Sequence, residues 1–550
     1  MDNVAAGIQD GRNSIPFFLK PLTLSDDIIY QLAYRFSKIF KELAATSLDQ
    51  FFPIPVTRLP TGKETGHYLA AYVGLSYLRV AFIDLLGESA PATSWGRQRV
   101  RRTLEKAWPI EESLKKGNPK NFFAWIGDCI AEVVADSLDP LGNTSSPATV
   151  DMGISFCFPM KQNNLHEAIL MPTGKGFALN SDLDLRQALL EGYERHTRRP
   201  NNDFEPIVTK RRRRRVLPAL RIAAITNDTV ATLASLAYSV KSLPNSRVVM
   251  GLIVGAGCNA TVPMQLNDLH ESKTRPVLMN TPEAVEALVN TEWTLSAASP
   301  PLRELDIITK WDRELESSSD RPGFQPLEYM VGGRYIGELV RIITYDYLHN
   351  LLHIPQEALP LKLTNPYCLT TDFLSLVVAA PSPVETLTNE LSEKLPPPSS
   401  SNWQWSPASA AILRTIASTV QSRSAALIAA AIVGLLNCTD QIHLTSSENL
   451  SSTNKTFTNV TGSPKTEHLR SPEELVVAFS GGVIQHYPKY KEIVQRYIDR
   501  ILLRSGPQDG GKSIFLREAS DGGIIGVGVL AGTTAGKEIE RIIGSTLPGR

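Results

Sequence analysis

Two apolar runs, each delivering chemically useful residues at its C-terminal end, constrain this chain more than anything else in it. Ile222–Ile225 is strand-like in length and feeds Asn227-Asp228-Thr229. A helix-like segment follows, and Val248–Val254 then feeds Gly255-Ala256-Gly257. Open α/β sheets place their ligands at the carboxyl ends of strands. Glycines directly after a strand let the backbone approach a phosphate or a sugar. A carboxylate at one strand end is therefore expected to face a glycine turn at another. Taken singly, each piece is ordinary: Asn-Asp is a common turn dipeptide, and a lone GxG says little about any ligand. Order and spacing carry the weight.

Composition narrows the classes. The chain has 550 residues, 42% hydrophobic and 20% charged, an ordinary globular make-up that suggests about two to four domains. With 56 basic and 56 acidic residues the formal net charge is zero, so no global field favours nucleic acid or an anionic membrane. The five cysteines, Cys129, Cys157, Cys258, Cys368 and Cys438, are odd in number and far apart. That spacing suits neither a disulfide framework nor a metal cluster. The N-terminus lacks a basic-then-apolar leader pattern. The longest apolar run, Ala425–Leu436, reads as a buried helix too short to span a bilayer. An intracellular protein, cytoplasmic or nuclear, is the expectation.

NDTVATL followed by GLIVGAGCNA closely resembles the hexokinase family, whose pattern is close to NDTVGTL then GLIxGTGTNA. The resemblance extends in blocks, in family order, from about Leu24 to Gly532. It implies the actin-like ATPase (ribonuclease H-like) fold, an α/β architecture of two domains around a cleft that closes on sugar. The implied layout is an N-terminal segment and helix at 1–65 packing on the large domain, and a small domain at 66–226. A large domain at 227–535 and a C-terminal segment at 536–550 complete it. Surface excursions are expected at 381–407, rich in Pro, Ser and Asn, and at 445–472, rich in Ser, Thr and Asn.

Leu24–Ala45, Phe122–Ser137 and Leu327–Tyr347 carry the apolar spacing of amphipathic helices. The first expected strand, Tyr68–Val73, runs into a turn. The family text there is near LALDLGGTNFRV; here it is LAAYVGLSYLRV. Gly74 and Arg79 match, and Ser76 stands for the threonine. The aspartate that helps hold magnesium is Tyr72, the second glycine is Leu75 and the asparagine is Tyr77. Tyrosine does not replace a carboxylate on a hard cation. Leucine brings a Cβ and a bulky chain where a phosphate approaches backbone. Phosphoryl transfer rests on positioning and charge neutralisation, so losing the metal-holding carboxylate is expected to cost on the order of 10²–10⁴ in rate.

The sugar side is better kept. MGISFCFP resembles LGFTFSFP with Cys157 at the sugar-contacting serine, and a thiol is the weaker hydrogen-bond partner. PTGKGF resembles WTKGF, which assigns Lys175 to sugar, with Gly174 at the threonine position. Asp228 is implied as the general base for the attacking hydroxyl, with Asn227 and Asn259 on sugar hydroxyls. VNTEW gives Glu292, followed by Thr294 where the family has glycine. PGFQPLEYMVGGRYIGEL gives Gln325 and Glu328 as the last sugar contacts. A carboxylate accepting neighbouring hydroxyls penalises any sugar that lacks them.

On the nucleotide side, Gly255 and Gly257 keep the backbone cradle, while Ala256 and Cys258 replace its two hydroxyl residues. Ser480 stands at an aspartate position in VVAFSGGVIQHY. Gly522 and Gly523, in LREASDGGIIGVGVLAG, fit a close-approach turn beside the nucleotide. ATP and magnesium are the cofactors that the resemblance implies, and Tyr72 and Leu75 stand against their binding. No other metal site is expected.

The chain looks like the atypical fungal hexokinase-like group. That group holds regulators without detectable catalysis, implicated in nutrient responses such as extracellular protease control, and N-acetylglucosamine kinases. A hexose or an N-acetylhexosamine is the expected small-molecule partner, together with a regulatory protein. An active kinase is the rival reading, with Cys157 and Gly174 leaving room for a larger 2-substituent. Lys210–Arg215, KRRRRR, suits nuclear import or an exposed loop. Nucleic-acid binding is disfavoured, because aromatic interleaving is absent.

Overall fold

Gly74 and Gly255 each sit in the tight turn of an antiparallel hairpin, and the two hairpins belong to different sheets. The computed structural model describes residues 14–89, 92–93, 96–97, 99–138, 148–171, 176–179, 182–198, 216–240, 245–445 and 473–546. The first half runs α1 (Asp26–Thr46), β1 (Phe52–Ile54), β2 (Thr65–Val73), β3 (Tyr77–Leu86), β4 (Val100–Pro109), α2 (Pro119–Ser137), β5 (Thr149–Phe156), α3 (Leu185–Glu194), β6 (Ala219–Asn227) and α4 (Asp228–Val240). The second half runs β7 (Ser246–Val254), β8 (Cys258–Gln265), α5 (Glu271–Asn280), β9 (Glu286–Asn290), α6 (Pro326–Val331), α7 (Gly333–Tyr345), α8 (Val384–Lys394), α9 (Pro407–Cys438), β10 (Glu474–Ser480), α10 (Tyr490–Ser505), β11 (Ser513–Glu518) and α11 (Gly522–Thr546).

The two sheets repeat one plan. The small-domain sheet has the order β4-β3-β2-β5-β6, and the large-domain sheet has β9-β8-β7-β10-β11 with β1 added beside β9. In each, three antiparallel strands are followed by two parallel ones. Parallel strands demand crossovers, which the intervening helices supply. The duplication resides in strand order, and no repeated sequence announces it.

Each half ends in a helix that serves the other half. β6 leads into α4, which packs on the large-domain strands β7, β8 and β10. β11 leads into α11, which packs on β2, β3, β5 and β6. The two helices lie against each other between the sheets, and missing side chains make the approach possible. A Cβ at Gly526 would stand 1.7 Å from the Ala231 carbonyl oxygen, and one at Gly153 would stand 2.3 Å from the Val527 oxygen. By packing, 522–534 lies on the small-domain sheet, and 228–240 lies on the large-domain strands.

Helix α9 is the axis of the large-domain core. Ser406 and Ser409 cap it reciprocally, and nearly every residue from Gln421 to Leu436 is buried. Its length and composition would suit a membrane span, yet its apolar window is 89% buried within the fold. The Arg423 guanidinium meets Asp312 at 2.6 Å inside this core. Two further expectations change. The 381–407 excursion is packed: Leu387, Leu391 and Leu395 recur every four residues and are buried, and Trp405 donates to the Leu395 carbonyl at 2.8 Å. The single helix expected over Leu327–Tyr347 is broken at Gly332. A Cβ there would stand 2.8 Å from the Ala256 oxygen and 2.9 Å from the Glu328 oxygen, so the glycine turn of the cleft presses on this point. Lys175, the Lys210–Arg215 run and residues 446–472 lie outside the described residues.

Candidate functional site

The ends of β2, β5 and β6 in one sheet and of β7 and β10 in the other open onto one cavity of about 740 Å³. Its polar end is built on the large domain. Asn259 at the start of β8 donates to the Asn290 amide oxygen at 2.8 Å and to Glu292 Oε1 at 3.0 Å, and Asn290 donates to the same oxygen at 2.9 Å. Glu292 is 8% exposed and holds a left-handed backbone, with φ of 47°. That conformation is disfavoured for a residue with a side chain, and here it turns the carboxylate toward the cavity wall. Glu328, buried on α6, accepts from the Cys258 amide at 3.1 Å. A buried carboxylate with such partners stays a strong acceptor.

Asn227 and Asp228 stand where β6 becomes α4. The Asn227 amide oxygen accepts from the Val230 amide at 3.0 Å and from the Thr229 hydroxyl at 3.1 Å, which caps the helix. Its Nδ2 has no partner among the described residues. A buried donor left unpaired is costly, and a ligand oxygen at the cavity would satisfy it. Asp228 is the first residue of α4, where the helix dipole favours a carboxylate.

The small-domain wall differs in kind. Cys157 follows β5, and its amide donates to the Val73 carbonyl at 3.1 Å. Tyr72 on β2 pairs with Arg79 on β3 and with Ser155 on β5. Its ring occupies the space that glycine leaves at 523: a Cβ there would lie 2.7 Å from the ring, and one at Gly74 would lie 3.1 Å from it. Burial, and after it the negative charge of Asp228, raises the Tyr72 phenol well above its ordinary range. The phenol therefore stays protonated beside the carboxylate. Arg79 pairs with Asp521 at 2.6 Å and with Glu105, while Arg102 reaches Asp521 at 2.8 Å. Gln485 donates to Glu518 at 2.9 Å.

The cavity wall thus unites Cys157, Asn227, Asp228, Asn259, Glu292 and Glu328 with Gly74, Ser76, Arg79, Gly255, Gly257 and Gly523. Gln325 stands off that wall and donates to the Thr294 hydroxyl at 3.3 Å. Gly522 lies behind it, against Thr232. Sequence reasoning missed Glu518, Asp521 and Gln485, which line the same cavity. The acidic residue directly before Gly522 was the available clue.

Hexokinase family models match residues 15–238 and 249–533. The chain belongs to the hexokinase family. Hexokinase-1 of Spinacia oleracea is 26% identical over 484 residues, 86% of this chain and 81% of that protein. The hexokinase of Schistosoma mansoni is 30% identical over 371 residues, 66% of this chain and 71% of that one. The chain spans 32% of the mouse hexokinase HKDC1, at 28% identity over 342 residues. A solved structure of the Schistosoma mansoni hexokinase complexed with glucose superposes with a TM-score of 0.71 at 23% identity, covering 97% of this chain and all of that one. A second hexokinase structure gives 0.63 at 20% identity, covering 94% and 98%. The hexokinase fold is shown by both. Members of this family use ATP and magnesium as kinases, so each residue on the phosphate side of the cleft bears on function.

Proposed function

We propose that this protein binds a hexose in its cleft and has lost phosphoryl transfer, or keeps it only weakly. On this reading it acts as a regulator in carbon or nutrient sensing, in the manner of the non-catalytic fungal hexokinase-like proteins. The observation that carries the reading is Tyr72. Its ring fills the space beside Gly523 and Gly74 where family members carry a carboxylate for magnesium.

The residues present do not fit a bound magnesium ion. A hard cation takes oxygen ligands in near-octahedral array. In phosphoryl-transfer sites magnesium is held by one or two carboxylates together with the nucleotide phosphates, and Tyr72 offers no carboxylate at its position. Asp521 is already neutralised by Arg79 and Arg102. Ala256 and Cys258 offer no hydroxyl to a phosphate. The sugar end keeps its acceptors in Glu292 and Glu328, a donor in Asn227 with no partner among the described residues, and Asp228. Hexose binding would draw the domains together, and the closed form would present or hide a surface for a partner protein. Lys210–Arg215 is proposed as the nuclear import element of such a regulator.

The second reading is an active ATP-dependent hexose or N-acetylglucosamine kinase, with Asp228 taking the proton from the 6-hydroxyl. The placement of Asp228 among the sugar-side residues favours it. The two readings separate on one pair of substitutions. In a regulator, Tyr72→Asp with Leu75→Gly raises sugar-dependent ATP turnover from background. In an active kinase the same pair gains nothing.

A further inference from the structure

The backbone of Glu292 is contacted from outside the cleft. Its backbone is left-handed, and so is that of Phe51, with φ of 56°. The two residues lie at the junction that follows β9 and precedes β1, where the Phe51 amide donates to the Thr291 carbonyl at 3.2 Å. Beside them Gln50, 1% exposed, donates from Nε2 to the Glu292 carbonyl oxygen at 2.8 Å. The carbonyl of Gln50 in turn accepts from Lys273 Nζ at 3.0 Å, and the same ammonium reaches the Ala44 carbonyl at 3.0 Å. A chain of contacts therefore runs from the C-terminal turn of α1, through Lys273 on α5 and Gln50, to the backbone of the cleft carboxylate.

We infer that Gln50, braced by Lys273, is a positioning residue for sugar recognition: it fixes the left-handed backbone of Glu292 and so the direction of its carboxylate. The inference rests on the sugar-binding reading above. A buried amide spent on a main-chain carbonyl gives orientation, because a left-handed non-glycine residue relaxes unless its surroundings over-determine it. With that donor removed, Glu292 Oε1 keeps its bonds to Asn259 and Asn290, but the residue regains freedom to turn. A hydroxyl-accepting carboxylate that must be re-ordered on binding gives weaker binding.

The test is calorimetry with glucose on the full chain, using Gln50→Met, Glu292→Gln and the double variant. Methionine keeps the buried volume and deletes the donor. Gln50→Met is expected to weaken glucose affinity about tenfold. The double variant is expected to bind no more weakly than Glu292→Gln alone, because Gln50 acts only through Glu292. Should Gln50→Met fail to fold, Lys273→Met probes the same strut, with a smaller loss that also vanishes in the Glu292→Gln background. Unchanged affinity, or a loss that adds fully to that of Glu292→Gln, overturns the inference while leaving the sugar site intact. Wild-type protein that binds no sugar overturns the sugar-binding reading, and this inference with it.

Discussion

The ring of Tyr72 and the backbone of Gly523 are in direct contact, with no room between them for a methyl group. Tyr72 stands one residue before the end of β2, and Gly523 is the second residue of α11. The contact therefore ties the phosphate side of the cleft to the packing of the small domain. Gly523→Ala is predicted to cost about 1–3 kcal/mol through overpacking. In a Tyr72→Ala background the same change should cost well under about 1 kcal/mol, because the clash partner is gone. Urea unfolding of the four proteins of the cycle measures both values.

Thr294 holds Gln325 away from the cavity wall by accepting from its amide. Thr294→Gly removes that acceptor and restores the small residue of other family members. Glucose affinity is predicted to rise by about threefold to tenfold, as one freed amide finds a sugar hydroxyl. Titration calorimetry on the two proteins decides it.

Much of the site could be read before any coordinates, and for a physical reason. Asp228, Asn259 and Glu292 sit at strand ends, where an apolar run stops and a polar residue begins, and that boundary is written in consecutive residues. Arg79 shows the opposite case. It lines the cavity, and its guanidinium lies between Glu105 and Asp521. The distant Asp521 could be matched to it only once the fold existed. Gln50 gave no cue at all, being a single buried amide without periodicity. The packing of α11 on the small-domain sheet was equally hidden, because strand pairing order leaves no mark on local pattern. At 381–407 the Pro and Ser content obscured a four-residue leucine spacing that does predict the helix.

The buried pair of Asp312 and Arg423 ties α9 to the short helix Lys310–Ser317. Both side chains are almost wholly buried, Asp312 at 4% and Arg423 at 0% exposure. Burial alone would raise the Asp312 carboxyl, and the Arg423 charge with the Thr309 bonds overrides it, leaving the group below its usual range. Asp312→Ala should destabilise the protein by about 3–5 kcal/mol, since it strands a buried charge. Exchanging both residues for apolar ones of similar volume should cost far less. Guanidinium unfolding of the single and double variants separates the two outcomes.

Lys273 provides a pH signature. Burial pulls its ammonium down to about 8. The unfolded chain then holds more protons than the native one above that value, so the Lys273 contribution to stability rises with pH from about 8 to the ordinary lysine range and is flat below. The stability of wild type relative to Lys273→Met is predicted to grow over that window. Thermal melts of both proteins at pH 7 and at pH 9.5 measure the change, and a difference that shrinks would contradict it.

The central claim is that the cleft keeps its sugar end and has lost its phosphate end. The direct measurement is sugar binding by calorimetry beside a coupled ATP assay, on one preparation, with glucose, fructose, mannose, glucosamine and N-acetylglucosamine. The account predicts saturable binding of at least one sugar, with turnover at least about a hundredfold below the 1–100 per second typical of kinases. Turnover in that ordinary range on any of the five would contradict it and make Tyr72 part of a working phosphate site.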